Sequence, residues 1–282
     1  MSTIGVDIGG TKIAAGLLDD NGELQATTSA PTPIDGADAV LAQVIALIDE
    51  LGGAPTAIGV GAPGLIDPVR GIVESATELV HGWQGARVGP ELSRLTGLPV
   101  AVDNDVRMFA YAEARIGAGQ PFARVLYASI GTGVGGALTE DGALVHGAHH
   151  SAGEISHLLV PERGPIPCGC GHFDHLEAVA SGPAIAAAAG EATVQEVVDR
   201  AAITHAATIL GRALAGFVTA IDVDAVVVGG GVARIGADFL NPVADALRAE
   251  VRPPGRPMPV LAAALGPHAP VIGAALLARE RA

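Results

Sequence analysis

One pattern occurs twice in this chain: an apolar strand, a glycine turn, a second strand, and a polar turn. The first copy runs Thr3–Ile8, Gly9-Gly10-Thr11-Lys12, Ile13–Leu18, then Asp20-Asn21-Gly22 into Glu23–Thr28. The second runs Val125–Ile130, Gly131-Thr132-Gly133, Val134–Leu138, then Asp141-Gly142. Ile8 corresponds to Ile130 and Gly9 to Gly131, an offset of 122 residues. Gly22 corresponds to Gly142, so the second hairpin is two residues shorter. A repeated supersecondary unit predicts two similar α/β halves facing each other across a cleft. Two unrelated hairpins are the alternative.

The rest of the chain reads as α/β. Val40, Leu41, Val44, Leu47, Ile48 and Leu51 form a helical stripe over Ala37–Leu51. Ala57–Val60 is a short strand ending at Gly61-Ala62-Pro63-Gly64. Leu98–Val102 is another, ending at Asp103-Asn104-Asp105, with a helix from Val106 to Ile116. Thr193–Ile221 reads as one long apolar-striped helix, and Ala225–Val228 as a strand into Gly229-Gly230-Gly231. Helices are expected at Ile235–Val251 and Val271–Arg279, separated by a loop at Pro253-Pro254-Gly255.

Aromatics are 3% of the 282 residues, so Ala, Val, Leu and Ile must build the core. The net charge of −14 argues against nucleic acid, whose binding rests on Lys and Arg. No apolar run approaches the ~20 residues that span a bilayer, so no membrane association is expected. The N-terminus enters a strand pattern at once, without a basic leader, and the chain has two cysteines. The expected compartment is the reducing cytoplasm.

Both cysteines fall in Gly153–Glu177, with His157 before and His175 after Cys168-Gly169-Cys170. These are the ligand types of a tetrahedral Cys2His2 zinc site. A strained disulfide or two buried thiols are the alternatives. His146, His149, His150 and His172 are rival ligands. Glu154 and Glu177 bracket the segment and could be held on a metal-braced loop.

Other motifs speak of phosphate. Gly9 and Gly10 let backbone N–H groups approach an anion. Thr11 adds a hydroxyl, Lys12 a cation, and Asp7 a carboxylate suited to hydrated Mg2+. An ordinary hairpin turn is the other reading. Gly131–Gly136 matches G-x-G-x-x-G, but that fingerprint must open a helix, and a strand is expected here. An NAD-dependent enzyme fails on that point. No G-x-x-x-x-G-K-[ST] loop is present. Asn104-Asp105 stands where a strand hands over to a helix, as a cap or as a base presented by a rigid strand end.

Together these motifs resemble the ROK group of bacterial sugar kinases, over nearly the whole chain. Asp7–Lys12 and Gly131-Thr132-Gly133 resemble that family's two phosphate motifs, and Gly229-Gly230-Gly231 its adenosine-side turn. Gly61–Gly64 and Asp103–Asp105 resemble its sugar-side loops. Glu154-Ile155-Ser156-His157 resembles its E-x-G-H, and Cys168–Glu177 its C-x-C-G-x-x-G-C-x-E.

The resemblance implies an actin-like (ribonuclease-H-like) two-domain fold. A smaller domain would span residues 1–110, joined by a C-terminal helix at 270–282. A larger one at 111–269 would carry the zinc segment. It implies ATP, Mg2+ and structural Zn2+ as cofactors, and a homodimer, although no interface is readable. Asp105 would be the general base for a hexose 6-hydroxyl. Gly64, Asn104, Glu154, His157 and Glu177 would contact the sugar. Asp7, Gly9, Gly10, Thr11, Lys12, Gly131, Thr132, Gly133, Gly229, Gly230 and Gly231 would contact the nucleotide. His157, Cys168, Cys170 and His175 would hold zinc.

Three residues depart from the family pattern. Ser156 and Asp174 stand where glycine is usual, and His175 replaces a third cysteine. The expected activity is ATP-dependent phosphorylation of a hexose, glucose first. N-acetylglucosamine, N-acetylmannosamine, an amino sugar, polyphosphate as donor, or a non-catalytic sugar sensor are the alternatives.

Overall fold

The computed structural model describes residues 2–76, 80–160 and 164–282. Pro161–Arg163, within the cysteine-bearing segment, thus lie outside the described residues. The chain divides into two compact units. Unit 1 comprises Met1–Arg115, His146–Ser151 and Pro267–Ala282, and unit 2 comprises Ile116–Val145 and Ala152–Gly266.

Unit 1 is built on β1 (Thr3–Ile8), β2 (Lys12–Leu18), β3 (Leu24–Pro31), α1 (Ala37–Leu51), β4 (Ala57–Ala62), β5 (Leu65–Asp67), β6 (Ile72–Ser75), α2 (Val88–Thr96), β7 (Val100–Asn104) and α3 (Asp105–Ile116). Its sheet runs β3-β2-β1-β4-β7. The β1–β2 and β2–β3 pairs are antiparallel, and β1, β4 and β7 are parallel. β5 and β6 form a separate small ribbon. The α1 stripe buries Val40, Leu41, Val44, Leu47 and Ile48. Ile4, Val6, Ile58, Val60 and Val102 complete that core.

The C-terminal helix Ala269–Arg281 lies against β1 and β4. Gly5 and Gly59 make this possible. A Cβ at either would fall 1.8 Å from Val271 O or Ala274 O, so the helix backbone rests directly on the sheet. Tyr111 and Arg115 of α3 both reach Glu280 at the end of this helix.

Unit 2 repeats the plan with β8 (Arg124–Ile130), β9 (Val134–Glu140), β10 (Ala143–Val145), β11 (Ala225–Gly229) and β12 (Val260–Ala262), in the order β10-β9-β8-β11-β12. Again two antiparallel pairings precede two parallel ones. The duplication read from the hairpins extends to the whole sheet. Part of the shortening lies in the glycine turn itself. Four residues separate the pair Ile8–Ile13, and three separate Ile130–Val134.

The helices of unit 2 are α4 (Glu177–Ala180), α5 (Gly182–Ala189), α6 (Arg200–Ile221), α7 (Gly230–Ala233) and α8 (Ala237–Glu250). One expectation needs correction. The long helix starts at Arg200, not Thr193. Asp199 caps it through a 2.8 Å bond from Ala201 N–H, and the Glu196 carboxylate folds Thr193–Glu196 into a turn. The same helix, 22 residues long, is long and apolar enough on average to cross a membrane. Its apolar face is buried instead. Ile203, Ala207, Leu210, Leu214 and Val218 pack into the unit 2 core, and the helix lies against α8.

Candidate active site

In unit 1 the parallel strands end level with one another. Asp7 on β1 lies opposite Gly61 on β4, and Gly61 opposite Asp103 on β7. The Gly9–Lys12 turn, the Gly61–Gly64 loop and Asn104-Asp105 therefore gather at one sheet edge, beyond the carboxyl ends of the strands, where open α/β sheets bind ligands. The turn is closed by Gly9 N–H donating to Lys12 O at 3.0 Å. Thr32 pins it twice, donating from its hydroxyl to Gly9 O (2.7 Å) and from its amide to Thr11 O (3.1 Å). A Cβ on Gly9 would sit 2.8 Å from Lys12 O, so closure needs glycine there. Lys12 is exposed.

The handover from β7 to α3 shows which residue is the cap. Asn104 does the capping: its Oδ1 accepts from the amides of Val106 (2.9 Å) and Arg107 (3.2 Å). Its Nδ2 donates to Gly64 O at 3.0 Å, which ties the Gly61–Gly64 loop to the helix start. Trp83 Nε1–H holds the same loop at Pro63 O, 3.0 Å away. Asp105 becomes the first residue of α3, where the helix dipole favours a carboxylate. Asp7 feels it as a neighbour. Burial and the Asp105 charge push the Asp7 carboxyl up to about 7, with Lys12 pulling the other way.

Beneath this edge lies a buried ionic network that the sequence reading did not find. Asp103 is fully buried. Its Oδ2 meets His146 Nε2 at 2.6 Å, and its Oδ1 meets Arg107 Nη1 at 3.2 Å. Arg107 also donates to the His150 carbonyl. Burial alone would raise the Asp103 carboxyl, but His146, Arg107 and the Asn104 amide hold it below its usual range. Removing one partner from such a pair leaves an uncompensated buried charge, at a cost of about 3–5 kcal/mol.

Unit 2 places its glycines the same way. Gly131 N–H donates to Gly133 O at 2.8 Å, closing the second turn. Gly229 pairs with Ser129, so Gly229–Gly231 lies beside that turn. Gly230 has φ +86°, and a Cβ there would fall 2.3 Å from Ile130 O. β9 continues through Gly136 as a strand, as expected.

Glu177 and Glu154 are joined through Ser156. Glu177 N–H donates to Ser156 O (3.0 Å), and Ser156 N–H donates to Glu154 Oε1 (3.0 Å). Glu177 Oε2 also accepts from Val134 N–H at 3.0 Å, which anchors it to the end of the second turn. Ser156 is 5% exposed, so it is packed within protein and not turned to solvent. Asp174 adopts φ +59°, and its Oδ1 accepts from Ile166 N–H at 2.8 Å. Its carboxylate therefore serves loop closure.

His157, Cys168, Cys170 and His175 converge, with one ligand atom of each within 4.8 Å of the others. Both cysteines are free thiols, which removes the disulfide reading. The His157 and His175 Nδ1 atoms are 3.2 Å apart, and Cys170 Sγ is 3.2 Å from His175 Nδ1. Burial, then His157 and His172, lower the His175 pKa, and burial raises that of Cys168. Two imidazole nitrogens and two sulfurs crowded together are the donor set a zinc ion fits. The rival histidines are sorted: His146 lies on Asp103, and His149, His150 and His172 lie outside this cluster.

Comparison with known proteins gives the family. The ROK family model matches residues 3–281. A glucokinase from Halalkalibacterium halodurans is 32% identical, covering 99% of this chain and 95% of its own. An N-acetylmannosamine kinase from Citrobacter koseri is also 32% identical, covering 99% of both chains. The crystal structure of a ROK family glucokinase from Streptomyces griseus, in complex with glucose and AMPPNP, superposes with a TM-score of 0.88. It is 32% identical and covers 99% of this chain and 100% of its own. The duplicated mixed α/β sheets are the actin-like fold that the resemblance to this family implied. With that match from end to end, the chain belongs to the ROK family.

Proposed function

We propose that this chain is an ATP-dependent sugar kinase that phosphorylates the 6-hydroxyl of glucose. The observation that carries the reading is the division of labour at α3: Asn104 takes the cap, and Asp105 is presented beside Asp7. Asp105 is assigned the proton of the 6-hydroxyl as that oxygen attacks the γ-phosphorus. The O–P bond forms, the bond to the β-γ bridging oxygen breaks, and ADP leaves with the bridging oxygen. Gly9–Lys12 and Gly131–Gly133 are assigned to the phosphates, Gly229–Gly231 to the adenosine side. Mg2+, when bound with the triphosphate, supplies neutralisation of its charge, and Asp7 would hold its waters. Gly64, Asn104, Glu154, His157 and Glu177 are assigned to the sugar hydroxyls.

The expected zinc ion, one per chain, would be held by His157, Cys168, Cys170 and His175. It would brace the loop that carries Glu154 and Glu177. Elemental analysis should find that zinc. A metal-free protein with two normally titrating thiols would sink the assignment.

The acceptor is the finer question. N-acetylmannosamine is the second reading, because kinases of both names match this chain at similar identity. The test is formation of the sugar 6-phosphate by purified protein with glucose, N-acetylglucosamine and N-acetylmannosamine, using ATP and polyphosphate as donors. Highest kcat/KM on glucose with ATP supports the proposal. Preference for an N-acetylhexosamine refutes the substrate, and no turnover with any pair refutes the kinase.

A further inference from the structure

We propose a second metal site in unit 1, formed by Asp67, Glu74 and His150, for a divalent first-row ion of the zinc–cobalt class. One carboxylate oxygen of Asp67, one of Glu74 and one ring nitrogen of His150 lie within 4.8 Å of one another. Asp67 ends β5, Glu74 lies on the paired strand β6, and His150 belongs to the His146–Ser151 segment. The donors thus come from separate parts of unit 1.

Two of them are preset. Asp67 is 7% exposed, and its Oδ1 accepts from the amides of Val69 (2.9 Å) and Arg70 (3.0 Å). That fixes the plane of the carboxylate. Its Oδ2 meets a long, 3.7 Å approach from Arg70, whose side chain is largely exposed. These amide bonds and the His150 imidazole keep the carboxyl below its usual range.

His150 is the independent observation. Its Nδ1 is buried and has no hydrogen-bond partner among the described residues, which happens to few buried polar atoms. Its backbone sits in the left-handed region at φ +55°, which histidine tolerates better than most side chains, and its carbonyl is clamped by Arg107. The Arg107 bond thus fixes the backbone that carries this imidazole.

The donor set selects the ion. Imidazole nitrogen suits zinc, cobalt and nickel better than magnesium or calcium, and two carboxylates balance the charge. Three protein ligands leave room for water. The site has no thiolate, which separates it from the His157–Cys168–Cys170–His175 cluster. A bound ion would clip the β5–β6 ribbon to the His146–Ser151 segment, closing a long loop, where such clips stabilise most.

The test uses Co2+ on the full-length, metal-stripped protein, without nucleotide or sugar, read by equilibrium dialysis and optical spectra. Wild type should bind one cobalt equivalent that adds no thiolate-to-cobalt band. Glu74→Ala removes an exposed side chain, and His150→Gly removes the imidazole and suits the backbone. Each should weaken that equivalent at least about tenfold. Cobalt should also raise the Tm of wild type more than that of either variant. Melting in chelator confirms that both variants fold. Absence of a thiolate-free equivalent in wild type, or its retention in either variant, overturns the site, whatever the cysteine cluster binds.

Discussion

The two sheets share one plan and differ in what stands at their ends. Ser129 on β8 occupies the place of Asp7 on β1, each directly before the last residue of its strand. Gly229 on β11 occupies the place of Gly61 on β4. In unit 1 that edge carries Asp7, Lys12 and Asp105. In unit 2 the matching turn offers glycine amides and the Thr132 hydroxyl, with no cation. The scaffold has been kept twice, and the second turn has no counterpart of Lys12. In the proposed function the base and the cation fall to the first copy, and the second contributes backbone amides to the anion.

Variants can break this division. Asp105→Asn keeps size and removes basicity. It should lower kcat by about 10²–10⁴ while sugar binding stays measurable by calorimetry. Turnover within a factor of ten of wild type would move the base elsewhere.

Asp7→Asn tests the cost of holding two carboxylates together. A carboxyl raised to about 7 favours folding while protonated and opposes it as pH rises through that value. The variant should therefore be more stable than wild type at pH 8, by about 2–4 kcal/mol, and little different near pH 4. Turnover should fall at the same time. Equal denaturation midpoints at pH 8 would show that Asp7 carries no such burden.

In unit 2 the expected signature is different. Gly230→Ala puts a methyl against Ile130 O at a positive φ, a strain of about 1–3 kcal/mol. It should raise the KM for ATP tenfold or more and leave the sugar KM nearly unchanged. A matching rise in sugar KM would erase the distinction between the copies.

Smallest is Ser156→Gly. It should shift the kcat/KM ratio of glucose to its 2-substituted analogues by a few-fold, at constant KM for ATP, since one polar group is worth about 1 kcal/mol. An unchanged ratio would assign Ser156 to holding Glu154 and Glu177 only.

The doubled hairpins were legible because strand period and glycine turns are local signals, and α1 because its stripe is regular. α2 was not, since Val88-Gly89-Pro90 opens it with two poor helix formers. The β5–β6 ribbon escaped because three- and four-residue strands have no measurable period. Thr193–Asp199 was over-read because its apolar spacing continues the helix while side chains cap and turn the backbone. At the site, the cysteine–histidine cluster was visible because its ligands are close in sequence. The bond from Asp103 to His146 crosses 43 residues, and nothing local announces it. Asp103-Asn104-Asp105 shows three similar side chains, and only the fold reveals that one pairs ions, one caps, and one begins the helix.

The seating of Ala269–Arg281 on Gly5 and Gly59 also bears on how the molecule comes into being. The strands it covers precede unit 2 in the chain, and the helix follows all of unit 2. During synthesis, β1 and β4 wait with one face bare while unit 2, nearly continuous in the chain, closes its own sheet. The first sheet to be made is thus among the last parts to be finished. Its apolar face, left uncovered on the ribosome, is where a chaperone has most to protect.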